Sequence, residues 1–124
     1  METIVLNLKD QNLYPKHIEL AAQTLMGGGL VAFPTETVYG LGGHRDNAKA
    51  VERIYKVKKR VEEKQLTLMI ADPADAKKHV DHFSHTAKRL MKLFWPGALA
   101  IIFPLKDGSD ISIRLSDNTI ARDL

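Results

Sequence analysis

Apolar and polar positions along this 124-residue chain switch repeatedly between a helical and a strand period. Thr3 to Leu8 is rich in β-formers and predicts a first strand. Pro15 suits a first helical turn, and Ile18, Ala21, Ala22, Leu25 and Met26 then recur on one helix face. Gly27-Gly28-Gly29 stops that helix. The continuous apolar run Leu30 to Phe33 predicts a central strand covered on both faces. Asp46 is placed to cap a helix whose stripe is Ala48, Val51, Ile54 and Tyr55.

Leu66 to Ala71 predicts another covered strand, which Asp72-Pro73 breaks to begin a short polar helix. Ser84 caps a helix carrying Ala87, Leu90, Met91 and Phe94, and Pro96-Gly97 ends it. Ala98 to Phe103 predicts a buried strand, and Lys106-Asp107-Gly108-Ser109 turns the chain back. Ile111, Ile113 and Leu115 alternate with Ser112 and Arg114, giving one buried and one wet face. Ser116 to Thr119 starts a last helix, whose stripe of Ile120, Ala121 and Leu124 extends for about two turns and so must dock. Interleaved helices and strands predict an α/β class over one domain, residues 1–124, without repeats or linkers.

Composition narrows the setting. Hydrophobic residues make up 44% and charged residues 27%, ordinary values for a globular domain. Eighteen basic against fifteen acidic residues give +3, a mild preference for anionic partners such as nucleotides or RNA. With no cysteine, disulfides, thiolate metal sites and a cysteine nucleophile are excluded. The start, Met1-Glu2-Thr3, lacks a signal-peptide pattern, and no apolar run approaches the ~18 residues that span a bilayer, so a cytoplasmic, non-membrane protein is expected.

Two stretches carry candidate chemistry. After Pro34, the residues Thr35, Glu36, Thr37 and Tyr39 crowd hydrogen-bonding groups at a strand's carboxyl end, where open α/β sheets place ligands. An ordinary strand-to-loop turn accounts for the same pattern. The basic run Arg53, Lys56, Lys58, Lys59, Arg60 and Lys64 reads either as a solvated face complementing a helix C-terminus or as a phosphate cradle. In the second reading Lys58 is a mobile point charge and Arg60 a planar fork for two phosphate oxygens. The glycine triplet lacks the residues of a P-loop or dinucleotide motif and reads as punctuation. His79, His82 and His85 lack partner ligands, so no metal site is assigned. Trp95 reads as a core anchor, and nothing suggests covalent catalysis.

The run Pro34-Thr35-Glu36-Thr37-Val38-Tyr39-Gly40-Leu41-Gly42 resembles the signature of YrdC-type proteins, the L-threonylcarbamoyladenylate (threonylcarbamoyl-AMP) synthases of tRNA modification. Ile54-Tyr55-x-x-Lys58-x-Arg60 is similar to the family's Lys-x-Arg segment, Phe94-Trp95-Pro96-Gly97-x-Leu99 to its Trp-Pro-Gly segment, and Ile111-Ser112-Ile113-Arg114 to the Arg-ending strand after it. The resemblance implies a twisted mixed sheet with helices on its faces, of which this chain is the amino-terminal portion. In family members a Ser-x-Asn segment carried in further strands and helices helps hold the nucleotide.

That resemblance implies adenylylation without a covalent intermediate. L-Threonine and bicarbonate form a carbamate, which attacks the α-phosphorus of ATP with magnesium present and releases pyrophosphate. A partner threonylcarbamoyl-transferase complex then passes the group to tRNA. It assigns Thr35, Thr37, Tyr39 and Arg114 to threonine, Lys58, Arg60 and Lys64 to the nucleotide, and Lys58 and Arg60 to catalysis. No tightly bound organic cofactor is implied. Departures from the family pattern are Val61, Gln65-Leu66, Met69, Ala100 and Arg114-Leu115-Ser116, where Pro, Pro-Leu, His, Thr and Arg-x-Pro are usual. These weaken the nucleotide site and keep open a non-catalytic RNA- or nucleotide-binding module. A carbamoyl-transfer domain of hydrogenase-maturation type ranks last, since its companion segments are missing.

Overall fold

The computed structural model describes residues 2–124. Helix α1 (Tyr14–Met26) has proline in its first turn and no side-chain cap; the Asp10 carbonyl instead accepts from the Leu13 and Tyr14 amides. It stops at Gly27, and Gly28 takes φ +85°, a left-handed conformation open to glycine without penalty. The chain turns there into β1 (Leu30–Phe33), which pairs antiparallel with β2 (Gly40–Gly43), Leu30 opposite Gly43 and Phe33 opposite Gly40. The Phe33 ring lies over the glycines of β2: a Cβ at Gly42 would come within 2.8 Å of it.

Helix α2 (Ala48–Lys58) follows, its N-terminus capped by the Asn47 side chain at 3.0 Å from the Ala50 amide. The capping residue is therefore Asn47 rather than Asp46. Lys59 closes the helix in the left-handed region at φ 49°. Ala50 and Ile54 are buried beneath the β1–β2 hairpin, beside Gly43 and Leu30.

The larger sheet is mixed, with order β3-β5-β4. β3 (Leu68–Met69) runs parallel to β5 (Asp110–Arg114), and β4 (Ile101–Pro104) antiparallel to it. A 3-10 turn at Pro73–Lys78, capped by Asp72, and helix α3 (His85–Phe94), capped by Ser84, cover one face. The core there gathers Ile70, Val80, Ala87, Trp95, Ile101, Phe103, Ile111, Ile113 and Leu115. Phe103 meets Phe83 edge-on at 5.5 Å and Trp95 at 6.2 Å between ring centroids. The buried Trp95 Nε1 donates to the Leu99 carbonyl at 2.8 Å, so the indole is a satisfied core anchor, as read from sequence. Helix α4 (Thr119–Asp123), capped by Asn118, is tied to α1 by the Tyr14 hydroxyl, which donates to Asp123 at 2.7 Å. Desolvation, then the hydrogen bond to that carboxylate, pushes the Tyr14 pKa up to about 12.

The α/β class and mixed sheet agree with the sequence reading, but several local expectations besides the Asp46 cap do not. Thr3–Leu8 forms no strand: Ile4 and Val5 are 72% and 89% exposed, and β-propensity needs a partner strand to act on. Leu30–Phe33 belongs to a two-stranded, half-buried hairpin, not to the centre of a covered sheet. The strand expected over Leu66–Ala71 shrinks to Leu68–Met69 because β5 offers it only a short parallel edge. Ser112, placed on a wet face, is 6% exposed, its hydroxyl 3.0 Å from Thr67 Oγ1 and its amide donating to Gln65.

Candidate functional site

A cleft of about 910 Å³ separates the β1–β2 hairpin with α2 from the β3–β5 edge of the larger sheet. Its floor is apolar, with Phe33, Val51, Ile54, Leu68 and Ile70. Its rim is cationic: Arg45, Lys58, Arg60, Lys78, Arg114 and Arg122 line it, against Asp75 as the acidic side chain. The modest net charge is thus concentrated at one concavity. Thr35, Thr37, Tyr39, Lys58, Arg60 and Arg114, spread over eighty positions of sequence, all line this cleft. Lys64 does not. It lines a separate hollow of about 260 Å³ with Lys58, Lys59, Arg60 and Val61, a compact basic patch on the neighbouring surface.

The threonine loop is self-bonded. Thr35 Oγ1 donates to the Val38 carbonyl at 2.5 Å, accepts from the Thr37 amide at 3.2 Å and lies 3.2 Å from Thr37 Oγ1. Val38 and Tyr39 are 74% and 75% exposed at the cleft mouth. Thr37 Oγ1 also accepts from Arg114 Nη2 at 3.1 Å, bridging the loop to the end of β5.

Glu36 completes this bridge, and sequence reasoning missed its role. One carboxylate oxygen is ion-paired with Arg114 Nη2; the other accepts from the Ser116 hydroxyl and the Asp117 amide, each at 2.6 Å. The Arg114 and Glu36 side chains are only 17% and 23% exposed. The Arg114 Nε–H is buried without an acceptor. The findable signal was spacing: Arg114 at the end of β5 and Ser116 two residues on offer a cation and a hydroxyl to a single carboxylate. The Ser116-Asp117-Asn118 run itself serves structure, Asn118 accepting from the Ile120 and Ala121 amides to start α4.

Arg60 departs from the free fork expected of it. Its Nε donates to the Lys64 carbonyl at 2.9 Å and its Nη2 to that of Gln65 at 3.1 Å, so one edge of the guanidinium braces its own loop. The residue nonetheless lines the cleft. Lys58, at the exposed end of α2, has no such commitment among the contacts of the described residues.

On the opposite wall, Arg45 Nη1 contacts His79 Nδ1. Burial, then the Arg45 and Lys78 charges, hold the His79 pKa below the ordinary imidazole range, opposed by Asp46 and Asp75. In the unfolded chain His79 takes up a proton near pH 6.5, which the folded chain resists. The chain should therefore lose stability as pH falls through about 6.5 toward the lower folded value. In His79→Gln that part of the pH dependence should flatten, as read by urea midpoints between pH 7.5 and 5.5; an unchanged slope contradicts the assignment. Among the described residues no three His, Asp or Glu side chains gather as a metal site. No helix of the described residues is long and apolar enough to cross a membrane.

Residues 23–124 match the Sua5/YciO/YrdC family model, whose description reads "Telomere recombination". The chain belongs to this family. It is 40% identical over 114 residues to a threonylcarbamoyl-AMP synthase of Bacillus subtilis and 37% identical over 102 residues to one of Pyrococcus abyssi, covering 84% and 82% of this chain. Those alignments cover 33% and 30% of the relatives, so the chain spans about a third of their length. The structure superposes on P. abyssi Sua5 complexed with L-threonine with a TM-score of 0.80 at 32% identity, over 87% of this chain and 34% of that one. Against Escherichia coli YciO the TM-score is 0.79 at 27% identity, over 88% and 57%. The described residues thus share part of the Sua5/YciO/YrdC fold, consistent with a chain that lacks the C-terminal elements of the longer relatives.

Proposed function

We infer that this chain supplies the amino-acid and phosphate walls of a threonylcarbamoyl-AMP synthase site. The observation that supports this reading is the convergence on one cleft of a hydroxyl loop, a clamped arginine and a Lys58/Arg60 cationic rim. L-Threonine binds with its carboxylate toward Arg114 and its hydroxyl toward Thr35 and Thr37, Tyr39 flanking the mouth. The carbamate formed from threonine and bicarbonate attacks the α-phosphorus of ATP; the new P–O bond forms as the bond to pyrophosphate breaks. Lys58 and Arg60 take up the charge on the phosphates, which is most of what such a transfer asks of a protein. Magnesium enters as the ATP complex, held by phosphate oxygens. The apolar floor keeps water from a carbamate that readily loses carbon dioxide.

A second reading rests on the 260 Å³ hollow: Lys58, Lys59, Arg60 and Lys64 form a phosphate-backbone patch outside the cleft, suited to RNA without chemistry. Calorimetry with L-threonine and ATP, beside pyrophosphate release with bicarbonate present, separates the two. The synthase reading expects saturable threonine binding and weak ATP binding that declines as salt rises. Lys58→Ala, which leaves the bonds of Arg60 to its loop intact, should weaken ATP about tenfold, and Arg60→Ala at least as much. RNA binding without threonine binding would favour the second reading, and ATP binding indifferent to both variants would move the anion site elsewhere.

A further inference from the structure

The Arg114 guanidinium is held through a single nitrogen. Nη2 donates to Thr37 Oγ1 and to the Glu36 carboxylate, while Nε–H is enclosed and unmet. Glu36 is itself immobilised by the Ser116 hydroxyl and the Asp117 amide at 2.6 Å each, immediately after β5. The carboxylate therefore fastens the threonine loop to the strand end and fixes the rotation of the guanidinium at the same time. An arginine side chain otherwise carries large rotamer freedom, which binding would have to remove.

We propose that Glu36 is a positioning residue for the ligand's carboxylate: it holds Arg114 by Nη2 at the cleft wall so that Nη1 can meet an incoming α-carboxylate. This rests on the reading above that Arg114 meets the amino acid. The opposite role for Glu36, occupying Arg114 in place of the ligand, predicts the opposite sign on removing its charge.

The test compares L-threonine with L-threoninamide, which keeps the side chain and amine but not the anionic carboxylate. The parent chain should prefer L-threonine. In Glu36→Gln, threonine binding should weaken about tenfold while threoninamide binding changes little, so the preference collapses. In an Arg114→Lys background, Glu36→Gln should add almost nothing, the mark of a residue acting through another. Tighter threonine binding in Glu36→Gln, an unchanged preference, or equal weakening of both ligands each overturns the proposal. A parent chain without preference would overturn the Arg114 reading instead. The hold on Arg114 is then decided by its Nε–Hε NMR signal, assigned by its loss in Arg114→Lys: a signal unmoved by Glu36→Gln overturns the positioning role, and a shifted or exchange-broadened one supports it.

Discussion

Phe103→Ala is expected to bring the chain close to unfolding under mild conditions. Phe103 is 2% exposed at the centre of the larger core, with the rings of Phe83 and Trp95 edge-on to it. Truncating a fully buried phenylalanine costs about 3–5 kcal/mol, and a domain of this size has only about 5–15 kcal/mol in total. A drop in Tm of roughly 15 °C follows, together with a lower urea midpoint. Its chain neighbour Ile102 lies on the opposite side of the same strand at 61% exposure. Ile102→Ala should therefore stay within about 0.5 kcal/mol of the parent. Equal losses in the two variants would mean that β4 does not face the core as described.

Arg114→Ala should give the second-largest loss, and it should be partly repaired by a second deletion. Removing the guanidinium leaves the Glu36 carboxylate, 23% exposed, with two hydrogen bonds and no cation. Breaking a buried pair in this way costs about 3–5 kcal/mol, and the residual solvent contact brings the expectation to about 2–3. Glu36→Gln in the same background removes the stranded charge and should recover about half, as measured by urea unfolding. The Lys56–Glu52 pair is a contrast: 2.7 Å apart but 72% and 55% exposed, it should contribute little to stability. Distance alone does not rank the two pairs; burial does. Arg114→Ala should also abolish threonine binding, whereas Lys56→Ala should not. A stable Arg114→Ala chain that still binds threonine would remove Arg114 from both roles.

Legibility of the fold followed how local its causes are. Ser84, Asp72 and the Pro15 start were readable because a cap or a fixed φ acts over three residues. The turn at Gly108, φ +85°, was readable for the same reason. The extended stretch at Thr3–Leu8 was misread because strand pairing is decided elsewhere in the chain, and no strand of the described residues comes to meet it. Ser112 looked solvent-facing by alternation, but Thr67 and Gln65 arrive from forty-five and forty-seven positions away to cover it. At the cleft, the hydroxyl loop and basic run were visible as local clusters. Their meeting was not, because it needs β3 and β5 to pair in parallel and place Arg114 opposite Met69. The bridging role of Glu36 was not legible, since its three partners lie about eighty positions downstream. Arg60 was over-read: the carbonyls of Lys64 and Gln65 that claim its fork leave no trace in residue type.

The most direct test of the proposed site is an amide and side-chain NMR titration of the isotopically labelled chain with L-threonine and then ATP. Threonine should move the signals of Thr35, Thr37, Tyr39 and Arg114, and ATP those of Lys58 and Arg60, all lining one cleft. Signals of Leu93, Phe94 and Ile102, exposed on α3 and β4 and outside the cleft lining, should stay in place. Shifts confined to those residues, or no shifts at millimolar threonine, would contradict the assignment of this cleft as the site of threonine and nucleotide binding.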